Sequence, residues 1–195
     1  IDYGIVPYTS SSSTIAAYAP IGAGVPNLKL DKSIGIMKAY SSCVGAGPFT
    51  CEYFGEQAEK LRELGGEYGA ATGRPRRVGP FDVVASRYGI RCQGADEIAL
   101  TKLDVLDDYE EIEICTHYEL DGKRLDEFPF TDVLDYCKPV FEKVKGWHCD
   151  ISKCRKPEDL PKEALDYIKL LEKLCDCRIR YVSVGAEREA CIKMY

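Results

Sequence analysis

Histidine is scarce in this sequence: there are two, His117 and His148, alongside one tryptophan, two methionines and no Cys-x-x-Cys pair. Zinc needs four ligands at turn-compatible spacings, so a structural zinc module is not expected. The nearest approach to a metal set is His148, Cys149 and Cys154, a spacing better suited to packing thiols, and no metal site is expected. No apolar run reaches membrane-spanning length and no leader pattern is present, so no membrane partner and a cytoplasmic location are expected. A broad basic surface is missing too: the formal charge is -6, which argues against a nucleic-acid partner, because affinity for a phosphate backbone needs extended positive charge. There is no GxxxxGK[ST] loop, so a self-contained GTPase is disfavoured.

What is present is a globular composition, 45% hydrophobic and 30% charged over 195 residues, enough for one well-buried domain. Ten scattered cysteines in a chain of this size need not be staples and are read as reduced thiols. The sequence opens "IDYGIVPY", already strand-like, which reads as a cut end. Residues 1 to 28 are rich in Ser, Gly, Ala and Pro and are read as loop, with more hydroxyls than a tether requires. Residues 29 to 195 read as the α/β core. "CEYFGEQAEKLRELGG" and "FDVVASRYGIRCQG" carry helical spacing, and "LPKEALDYIKLLEKLC" is the strongest helix, with apolar residues at Ala164, Leu165, Ile168, Leu171 and Leu174. "EIALTKLDVLD" reads as a buried strand running into a polar tip, and "RIRYVSVG" as a closing strand. "EEIEICTHYEL" alternates as a half-exposed strand, with "DGKR" as its turn, residues 131 to 137 as a short helix and "PVFEKVKGW" as another strand. Helices alternating with short apolar strands predict an α/β fold: a mostly parallel central sheet with flanking helices, plus an antiparallel hairpin region.

In such sheets ligands sit beyond the carboxyl ends of the strands. One strand leaves through "TKLD", Thr101 to Asp104, and the other through "SVGAER", Ser183 to Arg188. A carboxylate such as Asp104 accepts two hydrogen bonds from N1–H and N2–H of guanine, a pair that adenine lacks. The stem of Lys102 lies along a base face in this reading, and backbone amides from Ser183 to Gly185 donate to O6. A Lys–Asp pair at a strand end also serves as ordinary surface. The third element is "YGAATGRPRRVGPFD", residues 68 to 82, with three arginines in a loop of glycine, alanine and proline. In an extended loop Arg74 and Arg76 point one way and Arg77 the other, and guanidinium forks suit carboxylates and phosphates. The alternative is a solvated basic turn bonded to acidic neighbours.

Taken together, "VGAGPF" (Val44 to Phe49), "GGEYGAATGRPRR" (Gly65 to Arg77), "LTKLDVLD" (Leu100 to Asp107), "YELDGKR" (Tyr118 to Arg124) and "SVGAER" resemble, in order and rough spacing, the C-terminal half of adenylosuccinate synthetase, over nearly the whole chain. The resemblance implies part of that family's P-loop-NTPase-like fold. It also implies the family's reaction: GTP phosphorylates the 6-oxygen of IMP, with magnesium present, and the amino group of L-aspartate then displaces phosphate to give adenylosuccinate and GDP. By the same resemblance Ala70, Ala71, Thr72, Gly73, Arg74, Pro75 and Arg76 form an aspartate-binding loop. Ser10, Val44 and Arg74 fall at IMP contacts, and Arg76 at a GTP contact. Lys102, Leu103, Asp104, Ser183, Val184 and Gly185 fall at the guanine site. Family members are commonly homodimers.

The sequence departs from the family's pattern at Ala71, where a threonine is usual, at Cys43 for arginine, Pro80 for tryptophan, Ala186 for proline and Ser10 for threonine. The family's glycine-rich phosphate loop, general-base aspartate and histidine acid lie in its N-terminal half. No catalytic residue is therefore expected in this chain, magnesium is expected to be held mainly outside it, and activity from the chain alone is not expected. The competing expectation is a non-catalytic guanine-nucleotide-binding module derived from the same family.

Overall fold

The computed structural model describes residues 13–195. Its main sheet has the order β1-β5-β9-β10, formed by β1 (Ile34–Lys38), β5 (Glu97–Thr101), β9 (Arg178–Ser183) and β10 (Cys191–Lys193). The first three strands are parallel and β10 is antiparallel to β9. Ile98, Leu100, Ile179 and Val182 are buried in the core, while Ile34 and Ile36 of β1 stand exposed.

A second sheet is built on the long strand β6 (Glu111–Leu120). β8 (Lys138–Lys145) pairs antiparallel along nearly all of it, from Glu111↔Lys145 to Glu119↔Lys138. β7 (Lys123–Leu125) returns through a tight turn at Asp121–Gly122, where both residues have positive φ, the geometry a two-residue hairpin demands. β4 (Phe81–Asp82) adds a short parallel pairing at Ile114 and Cys115. A register shift between Cys115 and His117 breaks the simple alternation expected for β6. A two-stranded ribbon, β2 (Ser41–Cys43) with β3 (Arg77–Gly79), completes the strands.

Helix α5 (Lys162–Cys175) forms because Ala164, Tyr167, Ile168, Leu171 and Cys175 recur at three- and four-residue spacing, and all five are buried. Pro161 occupies its N-cap, and Asp176 ends it in the left-handed conformation. Helix α3 (Val83–Gln93) starts at Asp82, whose carboxylate accepts the Ala85 N–H, and stops at left-handed Gly94. Helix α2 (Gly55–Gly65) stops at left-handed Gly66 and delivers the chain into the arginine segment.

Two expectations are revised. Within the loop-rich segment, a 3-10 turn (Ala16–Tyr18) runs into a one-turn helix α1 (Ala19–Gly22) that buries Pro20. The tip after β5 is not polar: it is a 3-10 turn, Leu103–Leu106, whose Leu103, Val105 and Leu106 enter the core. None of the ten cysteines forms a disulfide. Among the described residues, no helix is long and apolar enough to cross a membrane.

Candidate functional site

Because β5 and β9 are parallel neighbours, with Leu100 beside Val182, the chain leaves both on the same edge of the sheet. Lys102 turns left-handed there, with φ 59°. The three apolar residues of the following turn point inward, which leaves Asp104 half-buried with Oδ1 buried and unpartnered among the described residues. Burial raises its carboxyl above the ordinary range, against the lowering effect of a backbone hydrogen bond and the Lys102 charge. Opposite, Ser183 Oγ donates to Gly185 O at 2.8 Å. The Val184 amide is already spent on Ala190 O at 2.9 Å, which removes it from the predicted set of base-reading donors.

The arginine segment is not extended. Gly73 N–H donates to Gly69 O at 2.7 Å and Gly69 N–H to Arg74 O at 2.8 Å, while Tyr68 and Pro75 form an antiparallel bridge. Gly73 has φ 63°, the conformation that favours glycine at such a turn. Alternation along an extended chain therefore does not decide where the arginines point. Ala70, Ala71, Thr72, Gly73, Arg74 and Pro75 are exposed at the tip, and the Arg74 guanidinium makes no hydrogen bond or ion pair with any described residue. Arg76 turns inward, and Arg77 enters β3.

Arg76 meets Glu67, a carboxylate with 0% exposure. Arg76 Nη1 lies 3.0 Å from Glu67 Oε2, and Lys38 Nζ lies 2.8 Å from Oε1. Tyr40 OH donates to Oε1 at 2.5 Å, and Lys102 Nζ stands 3.5 Å away while donating to Gly65 O. Burial alone would raise the Glu67 carboxyl, but hydrogen bonds from Lys38 and Tyr40 and the charges of Lys38 and Lys102 bring it down to about 2. A Cβ at Gly65 would stand 2.4 Å from Tyr40 Oη, so a larger residue here would displace the hydroxyl that donates to Glu67. Arg76 Nε, like Asp104 Oδ1, is buried without a partner, so two orphaned polar atoms flank this cluster.

The loop after β2 adjoins the same region, because Cys43 pairs with Arg77 across the ribbon. Val44 is 71% exposed on that loop. Arg77 does not face outward with a ligand: its guanidinium donates to Gly45 O at 3.1 Å, Gly47 O at 2.5 Å and Glu52 Oε2 at 2.5 Å, so it braces the Val44 loop. Beneath lies a cavity of about 300 Å³ bordered by Ser41, Cys43, Phe49, Asp82, Tyr118 and Phe128. Ser10 lies outside the described residues. No group of three or more His, Cys, Asp or Glu is placed to hold a metal ion among the described residues.

This arrangement has relatives. A family model described as adenylosuccinate synthetase matches residues 1–192. The chain belongs to the adenylosuccinate synthetase family. It is 48% identical over 193 residues to adenylosuccinate synthetase from Synechococcus sp. (strain CC9902), covering 98% of this chain and 44% of that protein. It is likewise 48% identical over 195 residues to the enzyme from Geotalea daltonii, covering 100% of this chain and 45% of that one. The structure matches a fully ligated adenylosuccinate synthetase from Plasmodium falciparum with a TM-score of 0.92 at 37% identity, covering 100% of this chain and 47% of that chain. The chain thus spans less than half the length of these family members.

The structure brings together, around Glu67 and the ends of β5 and β9, the predicted residues Arg76, Lys102, Leu103, Asp104, Ser183, Val184 and Gly185. Residues 70–74 and Val44 stand on two exposed loops beside them. Sequence reasoning missed Lys38, Tyr40 and Glu67. The string "GGEYG" reads as a loop, and nothing in it marks a carboxylate with no solvent exposure.

Proposed function

We propose that this chain supplies the guanine-reading site and the acidic-substrate loop of an adenylosuccinate synthetase, the enzyme that uses GTP to join L-aspartate to IMP and releases adenylosuccinate, GDP and phosphate. The observation that carries the reading is Asp104: a buried, unpartnered carboxylate oxygen at the edge where two parallel strands end. Guanine N1–H and N2–H are the donors that would satisfy it, and Leu103, fully buried, fixes the turn that presents it. Lys102 borders the base. The backbone of Ser183, Val184 and Gly185 forms the opposite wall, with the Gly185 N–H, which meets no acceptor among the described residues, as the donor for O6.

Arg74, exposed and uncommitted, is the fork for an aspartate carboxylate, with Thr72 beside it and Val44 and Arg74 both reaching toward IMP. Ala70, Ala71, Gly73 and Pro75 shape the tip. Arg76 reaches GTP from its seat on Glu67. In the reaction these residues bind and orient; phosphate transfer to the 6-oxygen and its displacement by the amino group occur on substrates they hold. Magnesium polarises the transferring phosphate in this reaction, and the described residues offer no set of ligands that fits it. Ser10 as an IMP contact, a cytoplasmic location and a homodimeric assembly belong to the same reading.

Calorimetric titration with GDP and with ADP tests it. The chain should bind GDP in preference to ADP, and Asp104→Asn should weaken GDP about 10- to 100-fold, because an amide meets guanine N1–H with a donor where a carboxylate accepted. Equal binding of the two nucleotides, or an Asn variant indistinguishable from the parent, would refute the assignment.

A further inference from the structure

The Glu67 carboxylate joins parts of the chain that are far apart in sequence. Lys38 comes from the end of β1 and Tyr40 from just beyond it, Arg76 from the arginine segment, and Lys102 from the turn that carries Asp104. Three cations thus lie within 3.5 Å of one carboxylate, so this corner is locally positive in a chain of net charge -6. Glu67 has no exposure and cannot touch a ligand itself. Its neighbours can, since the Lys102 side chain is 39% exposed and that of Arg76 is 34% exposed. The segment is also tied by backbone: Arg76 N–H donates to Glu67 O at 2.9 Å, and Arg62 Nε donates to Arg76 O at 3.0 Å.

We infer that Glu67 is a positioning residue that locks the arginine segment and the Asp104 turn into one unit, acting on guanine-nucleotide binding through Lys102 and Arg76. The inference rests on the guanine-site reading above. Its physical content is that one buried charge restrains two ligand-facing cations. Without it, Lys38, Arg76 and Lys102 repel one another, and the two segments lose their common anchor. The left-handed backbone at Lys102 makes this restraint consequential, because the same residue aims the ammonium group and opens the turn that presents Asp104.

The test uses the 195-residue chain, GDP as probe, and the variants Glu67→Gln, Lys102→Met and their double. Glu67→Gln is expected to weaken GDP about tenfold, and the loss in the double variant to fall short of the two single losses combined, because the part that runs through Lys102 is shared. Hydrogen exchange on the ligand-free chain should rise together in residues 68–76 and 102–106. A merely structural role would lower the melting temperature and leave the two GDP losses additive. Should Glu67→Gln fail to fold, Tyr40→Phe keeps the charge, removes one of its restraints, and must show the same paired rise in exchange. Paired loosening in a chain that does not prefer GDP overturns the guanine reading and leaves the linkage standing. GDP binding intact in Glu67→Gln, with exchange unchanged in both segments, overturns the linkage and leaves the reading standing.

Discussion

Replacing Tyr118 by phenylalanine should expose the cost of a buried charge in the second sheet. Tyr118 is 1% exposed and donates its hydroxyl to Asp82 Oδ2 at 2.6 Å; Asp82 is 5% exposed. The remaining support for that carboxylate is the Ala85 N–H at 3.1 Å, the Cys51 thiol at 3.4 Å and the backbone N–H of Val84. Burial outweighs these bonds and holds the Asp82 carboxyl above its ordinary value of 3.8. A hydrogen bond to a charged group is worth about 1.5–3 kcal/mol, and its loss leaves a buried oxygen short of a donor. A deficit of about 2 kcal/mol follows, which for a domain of this size lowers Tm by about 4–8 °C.

The pH dependence has a definite sign. A carboxyl whose folded pKa is raised favours the folded state while protonated, and that contribution is lost as pH rises through the folded pKa. Removing the Tyr118 hydroxyl raises the Asp82 pKa further, so the deficit of Tyr118→Phe grows with pH and shrinks on acidification. The neighbouring thiols do not interfere: burial and the Asp82 charge push Cys51 and Cys115 well up, away from this range. Urea denaturation of both proteins at about pH 4.5 and about pH 7.5 measures it. A deficit that is equal at the two values, or larger in acid, would refute the reasoning.

Other substitutions have expected outcomes of their own. Gly146→Ala places a Cβ 1.8 Å from the Tyr109 carbonyl oxygen, a backbone atom that cannot swing away, and should cost about 3 kcal/mol or more in urea denaturation; a loss under about 1 kcal/mol would mean the two segments are not in contact. Asp107→Ala removes the acceptor of Trp147 Nε1 at 2.6 Å and of Ile151 N–H at 3.1 Å. It should red-shift the emission of the single tryptophan, and unchanged emission would argue against that anchor. Arg77→Lys keeps the charge but has no planar fork to span Gly45 O, Gly47 O and Glu52. Proteolysis within residues 44–48 should therefore accelerate, and a cleavage rate equal to that of the parent would count against the bracing role.

Regular elements were legible wherever periodicity and terminators coincided. α5 announces itself through Ala164, Ile168 and Leu171, and α2 through its closing Gly65–Gly66. α1 was missed because four residues containing proline and glycine carry no period to read. Of the candidate site, Asp104 and Ser183 to Gly185 were legible because strand ends are visible in sequence and the parallel order of β5 and β9 brings them together. The arginine segment misled on direction: its conformation is set by a turn at Gly69–Gly73 and by Glu67, neither of which the spacing of the arginines encodes. Glu67 and Asp82 were invisible for a common reason. Sequence treats a carboxylate as surface, and only three-dimensional proximity of tyrosine, lysine or thiol donors makes its burial tolerable.

The left-handed backbone at Lys102 has an evolutionary consequence. Glycine adopts φ near 59° without the penalty of a Cβ, so a search for thermal stability alone would tend to replace this lysine. Such a variant would hold its turn more cheaply while removing the ammonium group that links Asp104's neighbourhood to Glu67. Position 102 is thus a place where laboratory selection for heat resistance and selection for nucleotide use should diverge, and where a stabilised library would record the conflict as a lysine-to-glycine exchange.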